Sequence, residues 1–372
     1  MLVVVQVAVC ALLLISAAIT LRGERTVASQ DTGIDPRGVF DVHVGEKLRV
    51  PVTARLRAEP RVSSVGAFLE YPVASEATGD GRTMRMNYML TSPEYFDIFR
   101  IPMVRGRNFS QAESQAEAAV VVVSETAARR LWPGQDAVGR TVTCPRTAPF
   151  YVAAHPASAL VIGVARDSFQ DWDEQGRPQR ACLYFPTYAG SSLRVLLLVG
   201  MKGQIGIESA RRIIAADVDA VAPGGADNIE SQEDVQTSRL FPFRILLDIT
   251  GFLGALALLM TLSGVYGVLS YLVTQRRREF GIRIALGALG QDVAAMVFRQ
   301  SLKLAALGAA AGALLAYAAA KIIGNIIQPI DPLDWRGYAG GVLVVLAAAL
   351  AASCVPARRA VRVDPAVTLR CD

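Results

Sequence analysis

Few residues in this chain combine the types and spacing that chemistry needs. The two histidines, His43 and His155, stand too far apart to form a motif, and no H-E-x-x-H, G-x-S-x-G or Walker A glycine loop accompanies them. Both read as solvated or structural. The acidic residues Asp167, Asp171, Asp173 and Glu174 imitate a cation site, yet around Phe169 and Trp172 they read as an ordinary polar loop. Five cysteines, at 10, 144, 182, 354 and 371, show neither C-x-x-C nor metal-ligand spacing. Cys10 and Cys354 sit in apolar runs as small buried hydrophobes, while a Cys144 to Cys182 disulfide is chemically permitted and left open. No catalytic group and no metal site is nominated, which disfavours a membrane-bound hydrolase.

Charge rather than reactivity singles out Gln275-Arg-Arg-Arg-Glu-Phe-Gly-Ile-Arg-Ile-Ala-Leu-Gly-Ala288, wedged between two long apolar runs. Arginines within a few residues of a span mark that side as cytoplasmic. The glycine-bounded run from Ile282 to Leu286 predicts a short surface helix able to dock on a cytoplasmic partner.

The elements that would position this segment are four apolar stretches, roughly Leu2 to Leu21, Ile245 to Val273, Leu304 to Ile327 and Tyr338 to Val355. Each is close to or above the about 20 residues that cross a bilayer. Phe241, Phe243, Trp335 and Tyr338 suit interfacial aromatic belts. If the connector and the arginine-rich tail are both cytoplasmic, the turn from Gln328 to Asp334 is outside, and Arg22 to Arg244 is extracytoplasmic. Arg22 and Arg25 on the outer side run against the charge bias. A cleaved signal peptide, with Ser16-Ala-Ala18 near its processing site, is the rival reading of the first stretch. A start within a residue of the apolar run suggests a truncated or split chain.

With 372 residues, 52% hydrophobic, a pI near 9.0 and mean hydropathy of +0.35, the chain is part membrane protein and part polar domain. Its basic clusters, at 276–283 and at Arg358, Arg359, Arg362 and Arg370, adjoin apolar stretches. Membrane lipid or an acidic protein surface explains them better than nucleic acid does.

In the polar segment, Val120 to Val123 predicts a buried strand, and Ser124 an N-cap for a helix through Leu131 that stops at Trp132-Pro-Gly134. Leu160 to Val164, Leu183 to Phe185 and Leu193 to Val199 add strands, and Ile205 to Val218 has helical spacing before Pro223-Gly-Gly225. The fold class that follows is a four-helix membrane protein with a large α+β domain between its first and second helices. Within the spans only Asp248, Lys303 and Lys321 are ionisable, each near an end, which disfavours a proton-driven carrier. Gly308 and Gly312 form a small-xxx-small face for helix packing or a dimer seam, as Gly251, Gly254, Gly264 and Gly267 do in the second span.

This arrangement resembles the permeases of the MacB and FtsX superfamily of ABC transporters (type VII). Arg278-Glu-Phe-Gly-Ile-Arg-Ile-Ala-Leu-Gly-Ala288 is similar to their E-[IFL]-G-[IL]-R-x-A-[LV]-G-A signature. Ser92 to Phe109, Val123 to Gly134 and the tail Pro356 to Arg370 resemble blocks of the acidobacterial-type (ADOP-like) permeases, in their C-terminal half. The resemblance implies transmembrane helix 1 over 1–21, a MacB-like periplasmic core domain over 22–243 and an FtsX-like permease domain over 244–372. That last domain would hold helices near 245–273, 304–327 and 338–355, a coupling segment at 275–297 and a cytoplasmic tail at 356–372. It further implies a bacterial inner-membrane subunit without enzymatic activity, working with a separate ABC ATPase that binds ATP and Mg. Arg278, Glu279, Gly281, Ile282, Arg283, Ala285, Gly287 and Ala288 would couple the two. The chain would homodimerise or pair with a second permease half, and no cofactor is expected on it. A membrane-anchored sensor or scaffold without ATP coupling is the alternative.

Overall fold

Alternating apolar strands and long continuous apolar helices sort the chain into two compact units, Gln30–Arg239 and Met1–Ser29 with Leu240–Asp372. The computed structural model describes residues 1–69, 73–144, 157–168, 171–172, 178–191, 195–276, 279–280, 282, 289–324 and 332–361. Helix α1 (Leu2–Ala28) precedes the first of these units, whose chain runs β1 (Val39–Val44), α2 (Glu46–Ala58), β2 (Val62–Leu69), β3 (Val73–Gly79), β4 (Arg82–Thr91), α3 (Glu94–Ile98), β5 (Met103–Gly106) and α4 (Gln111–Gln115). It continues through β6 (Val120–Ser124), α5 (Glu125–Leu131), β7 (Thr141–Thr143), β8 (Ser158–Ala165), the short ribbon β9 (Asp171–Trp172) and β10 (Pro178–Gln179), then β11 (Cys182–Pro186). Strand β12 (Val195–Met201), α6 (Ile207–Val221), β13 (Ala226–Ser231) and α7 (Gln232–Ser238) complete it.

Strands β13, β1, β12 and β2 lie side by side, every pair antiparallel. Chain order along that sheet is fourth, first, third, second, with α2 and α6 as the two crossovers, which is the split βαβ arrangement. Apolar residues at alternate positions, Phe40, Val42, Leu197 and Val199, meet Val52, Leu56, Ala210 and Ile214 of the helices in one buried cluster. Everything between β2 and β12 is an insertion into this frame. In it β4, β11, β6, β8, β7 and β3 pair in succession and β3 returns to β4, so the sheet closes on itself. One face of these strands packs with Ala127, Leu131 and Trp132 of the α5 region. A Cβ at Gly79 would come within 2.7 Å of the Trp132 ring, so glycine is required there. The opposite face carries Tyr184 and Val122 against Tyr95, Phe96 and Phe99 of the α3 turn.

The predicted strand-to-helix unit is β6 and α5: Ser124 Oγ accepts from the Ala127 N–H at 3.2 Å, and the helix ends before Trp132. Strands β8, β11 and β12 and helix α6 occupy the other predicted stretches. Cys144 and Cys182 are free, buried thiols in separate apolar clusters, so no disulfide joins them. Burial pushes the Cys144 thiol up to about 12.

The second unit comprises α1, α8 (Phe241–Gln275), α9 (Gly290–Gly324) and α10 (Trp335–Val361), all long and apolar enough to cross a membrane. At 1.5 Å per residue they measure about 40 to 52 Å, against about 30 Å of hydrocarbon. Helix α1 is the hub. Cβ atoms at Gly308 and Gly312 of α9 would collide with Val7 and Ala11 of α1, and those at Gly337 and Gly341 of α10 with Ile19 and Ile15. Gly254 of α8 closes on Leu14. Between α9 and α10 the Ser353 Oγ–H donates to Ser301 Oγ at 2.6 Å and Ser301 donates to the Ala349 carbonyl at 3.2 Å. Among the described residues the bundle buries threonines and serines but no carboxylate, lysine or arginine. Asp248, Lys303 and Lys321 are all exposed on its outside.

At one end of the bundle, Arg22 pairs with Asp334 at 2.6 Å and Arg244 with Glu24 at 3.4 Å, tying the end of α1 to the starts of α10 and α8. The pairing gives a partner to Arg22, one of the two arginines that run against the charge bias. Of the four aromatics assigned to the belts, Phe241 and Trp335 are exposed, whereas Phe243 is buried and Tyr338 turns in to donate its hydroxyl to the Pro332 carbonyl. Two residues along a helix turn a side chain by about 200°, so Phe241 and Phe243 point to opposite faces.

Candidate functional site

The connector grows directly out of α8. Its C-cap residue, Arg276, donates its N–H to the Leu272 carbonyl at 3.0 Å, and the Phe280 N–H then donates to the Arg276 carbonyl at the same distance. Helical geometry therefore resumes at Glu279, Phe280 and Ile282. Phe280 is 3% exposed and joins the apolar core of the bundle, so it anchors the segment, while Ile282 is 42% exposed and faces out. Arg278, Gly281, Arg283, Ala285, Gly287 and Ala288 lie outside the described residues.

On the far side, Leu289 is exposed and its N–H donates to Asp292 Oδ2 at 3.2 Å, while the Asp292 N–H donates back to the Leu289 carbonyl at 2.9 Å. This exchange opens α9. Gly290 then packs so closely on α10 that a Cβ would stand 2.6 Å from Val361 Cγ1. Close by, the Arg359 guanidinium lies 5.9 Å from the Tyr266 ring of α8, a cation–π contact. Three helix ends thus meet at the connector, with apolar side chains offered outward beside arginines. Such a surface suits protein docking rather than bond-breaking.

Phe280 and Leu289 were not singled out in the sequence. The signal for Phe280 was a lone aromatic amid charged residues, which in a surface segment marks an anchor. Gly308 and Gly312 lie against α1 of the same chain. Gly251 and Gly267, by contrast, face open space.

The other candidate residues are dispersed. His43 sits on β1 opposite Asn228 of β13, and His155 is outside the described residues. Asp167 caps α5, accepting from the Thr126 N–H at 2.7 Å, the Thr126 hydroxyl at 2.6 Å and Arg129 at 3.2 Å, so its oxygens serve the helix start. Asp173 and Glu174 are outside the described residues. No group of three or more possible metal ligands gathers among the described residues.

Residues 2–233 match the family described as the MacB-like periplasmic core domain, and residues 251–365 match the FtsX-like permease C-terminal family. The chain is 29% identical over 322 residues to the macrolide export ATP-binding/permease protein MacB of Rhodospirillum rubrum, covering 80% of this chain and 46% of that protein. It is 24% identical over 283 residues to the pyoverdine export ATP-binding/permease protein PvdT of Pseudomonas syringae pv. syringae, covering 73% and 41%. The chain thus spans less than half the length of these curated relatives. Among solved structures, the periplasmic region of MacB from Actinobacillus actinomycetemcomitans aligns at a TM-score of 0.41 and 16% identity, over 57% of this chain and 97% of that one.

Proposed function

The chain belongs to the MacB/FtsX permease superfamily as a multi-pass inner-membrane protein with a periplasmic core domain, and on that premise we propose that it is the permease subunit of an ABC transporter. In this reading a separate ATPase binds ATP and Mg in the cytoplasm and docks on the segment from 275 to 297. Arg278, Glu279, Gly281, Ile282, Arg283, Ala285, Gly287 and Ala288 form the contact. Closure of the ATPase moves the connector, and the movement passes through the helices to the periplasmic unit to drive export or efflux.

The observation that carries this reading is the connector itself, anchored by Phe280 in the bundle core and offering Ile282 and Leu289 outward. A push there would pass to packed helices, since Gly290 rests on Val361 and Arg359 on Tyr266. A bundle core without buried carboxylates, lysines or arginines among the described residues supports mechanical transmission over ion-coupled transport. The subunit works as a homodimer or with a second permease half.

The test is an affinity pull-down of the detergent-solubilised chain from its native membranes, with and without a non-hydrolysable ATP analogue. A stand-alone ATPase should be recovered, and Arg278→Glu with Arg283→Glu should release it. Unchanged recovery with the charge-reversed connector would sink the docking assignment. Recovery of periplasmic partners alone would favour a sensor without ATP coupling.

A further inference from the structure

At the end of the bundle where Gly290 meets Val361, α9 and α10 part to leave an open groove of about 340 Å³, lined by Ala294, Phe298, Cys354, Ala357, Arg358 and Val361. Its lining is apolar apart from one guanidinium. The depth of the groove in a bilayer follows from α10. Trp335, exposed and 5.5 Å from the Arg336 guanidinium, marks one interface. Arg358 lies 23 residues further along the same helix. That is about 35 Å at the α-helical rise, slightly more than the about 30 Å hydrocarbon thickness. Arg358 therefore reaches the headgroup level of the opposite leaflet, and Cys354, one turn back, lies at the start of the acyl region.

Arg358 is exposed, and no carboxylate among the described residues pairs with it. Its neighbour Arg359 is already engaged over Tyr266. A cation at headgroup depth above an apolar groove matches an amphiphile with a negative head. A guanidinium meets a phosphate with two parallel hydrogen bonds, and an acyl chain fills apolar space that water would occupy unfavourably. We propose that this groove is a binding site for an anionic phospholipid, its phosphate on Arg358 and an acyl chain against Phe298, Ala357 and Cys354. The groove shares Ala294 with the segment proposed to dock the ATPase, but lipid binding there requires neither the ATPase nor any particular cargo.

Cys354 is not the buried hydrophobe its apolar run predicts but an exposed thiol within the groove, whereas Cys10, Cys144 and Cys182 are buried, so it reports occupancy directly. The full chain carrying Cys371→Ser is reconstituted in phosphatidylcholine vesicles with or without phosphatidylglycerol. Alkylation of Cys354 by a membrane-permeant maleimide is then timed. One basic residue near an anionic surface implies about a fivefold preference, so phosphatidylglycerol should slow alkylation by up to about fivefold. Arg358→Gln should remove the difference and Arg358→Lys should keep much of it, which separates lost charge from lost fold. Equal rates in the two vesicles, or a phosphatidylglycerol effect that survives Arg358→Gln, would overturn the proposal. Slowing that needs an added cytoplasmic protein would assign the groove to that protein and overturn it as well.

Discussion

Replacing Gly312 by alanine puts one methyl group into the α1–α9 seam, where it would lie 2.5 Å from Ala11 Cβ and 2.5 Å from the Ala8 carbonyl oxygen. Carbon atoms pack best at about 3.5 to 4.0 Å, so the helices must part by roughly 1 Å, and a gap of about 0.5 to 1 Å forfeits a quarter to a half of each dispersion contact along the seam. The carbonyl belongs to the backbone and cannot rotate away. Overpacking of this kind costs about 1 to 3 kcal/mol. Alanine returns about 0.5 to 1 kcal/mol by its better helix propensity, which leaves a net loss of about 0 to 2.5 kcal/mol. Gly267→Ala is the control, since nothing stands within 4 Å of its Cβ and only the propensity gain remains. Because the chain has two units, global melting mixes two events. Cys10, fully buried on α1 beside Thr261 of α8, supplies a local readout: its alkylation in mild detergent reports loosening of α1 from the bundle. Gly312→Ala should speed that reaction by up to about seventyfold and by at least about fivefold relative to Gly267→Ala, which should leave it unchanged or slower. Equal rates in the two variants would refute the close-approach argument.

The Arg22 to Asp334 pair is 41% exposed on the arginine side, so solvent limits its coupling to about 0.5 to 1 kcal/mol. A double-mutant cycle of Arg22→Gln and Asp334→Asn, read by Cys10 alkylation in mild detergent, should return that coupling, and a value of zero would remove the pair from the account of why α1 stays on the α10 start. In the periplasmic unit, Arg107 first, and Ser110 after it, hold the Glu113 carboxyl at about 2 instead of its ordinary 4.5. A lowered folded-state value means the stabilisation is complete above about pH 4.5 and disappears as pH falls through about 2. Acid unfolding followed by circular dichroism should therefore be shallower for Glu113→Gln, and identical acid limbs would contradict the assignment.

Much of this architecture is legible in the sequence because its signals are local. Continuous apolar runs declare the four membrane helices, and Ser124 before Glu125 to Leu131 declares a capped helix. What stayed hidden depends on partners distant in the chain. The frame β13-β1-β12-β2 joins strands from opposite ends of the periplasmic unit, and no local pattern says that residues 73–186 are an insertion. Helix α2 is masked by Pro51 and by its mix of arginines with few apolar residues, although Val52 and Leu56 are buried at helical spacing. The hairpin between β3 and β4 was within reach: Asp80 and Gly81, at φ of 53° and 75°, are the aspartate–glycine pair that a tight turn with both residues left-handed favours. At the connector the charge pattern marked the segment, but the anchoring role of Phe280 depends on helices that close around it.

The spacing of small residues also explains why one helix serves as hub. Buried positions recur every four residues in α9, at Val293, Val297, Ser301 and Ala305, and again at Gly308, Gly312, Ala316 and Ala320. They do the same in α10, from Gly337 through Gly341, Val345, Ala349 and Ser353 to Ala357. On a helix of 3.6 residues per turn, a step of four advances about 40° around the axis, so such a stripe winds across the surface and cannot face one neighbour throughout. The contacts follow that winding. Helix α9 meets α10 where it begins, at Gly290 and Ser301, and α1 further on, at Gly308 and Gly312. Helix α10 meets α1 where it begins, at Gly337 and Gly341, and α9 further on, at Ser353 and Val361. Helix α1 must then receive α9 along its first half, at Val7 and Ala11, and α10 along its second, at Ile15 and Ile19. Small residues at each crossing let the backbones approach, so close dispersion contact holds α1 to α9 and α10, while the α9–α10 crossing adds the Ser353 to Ser301 hydrogen bond.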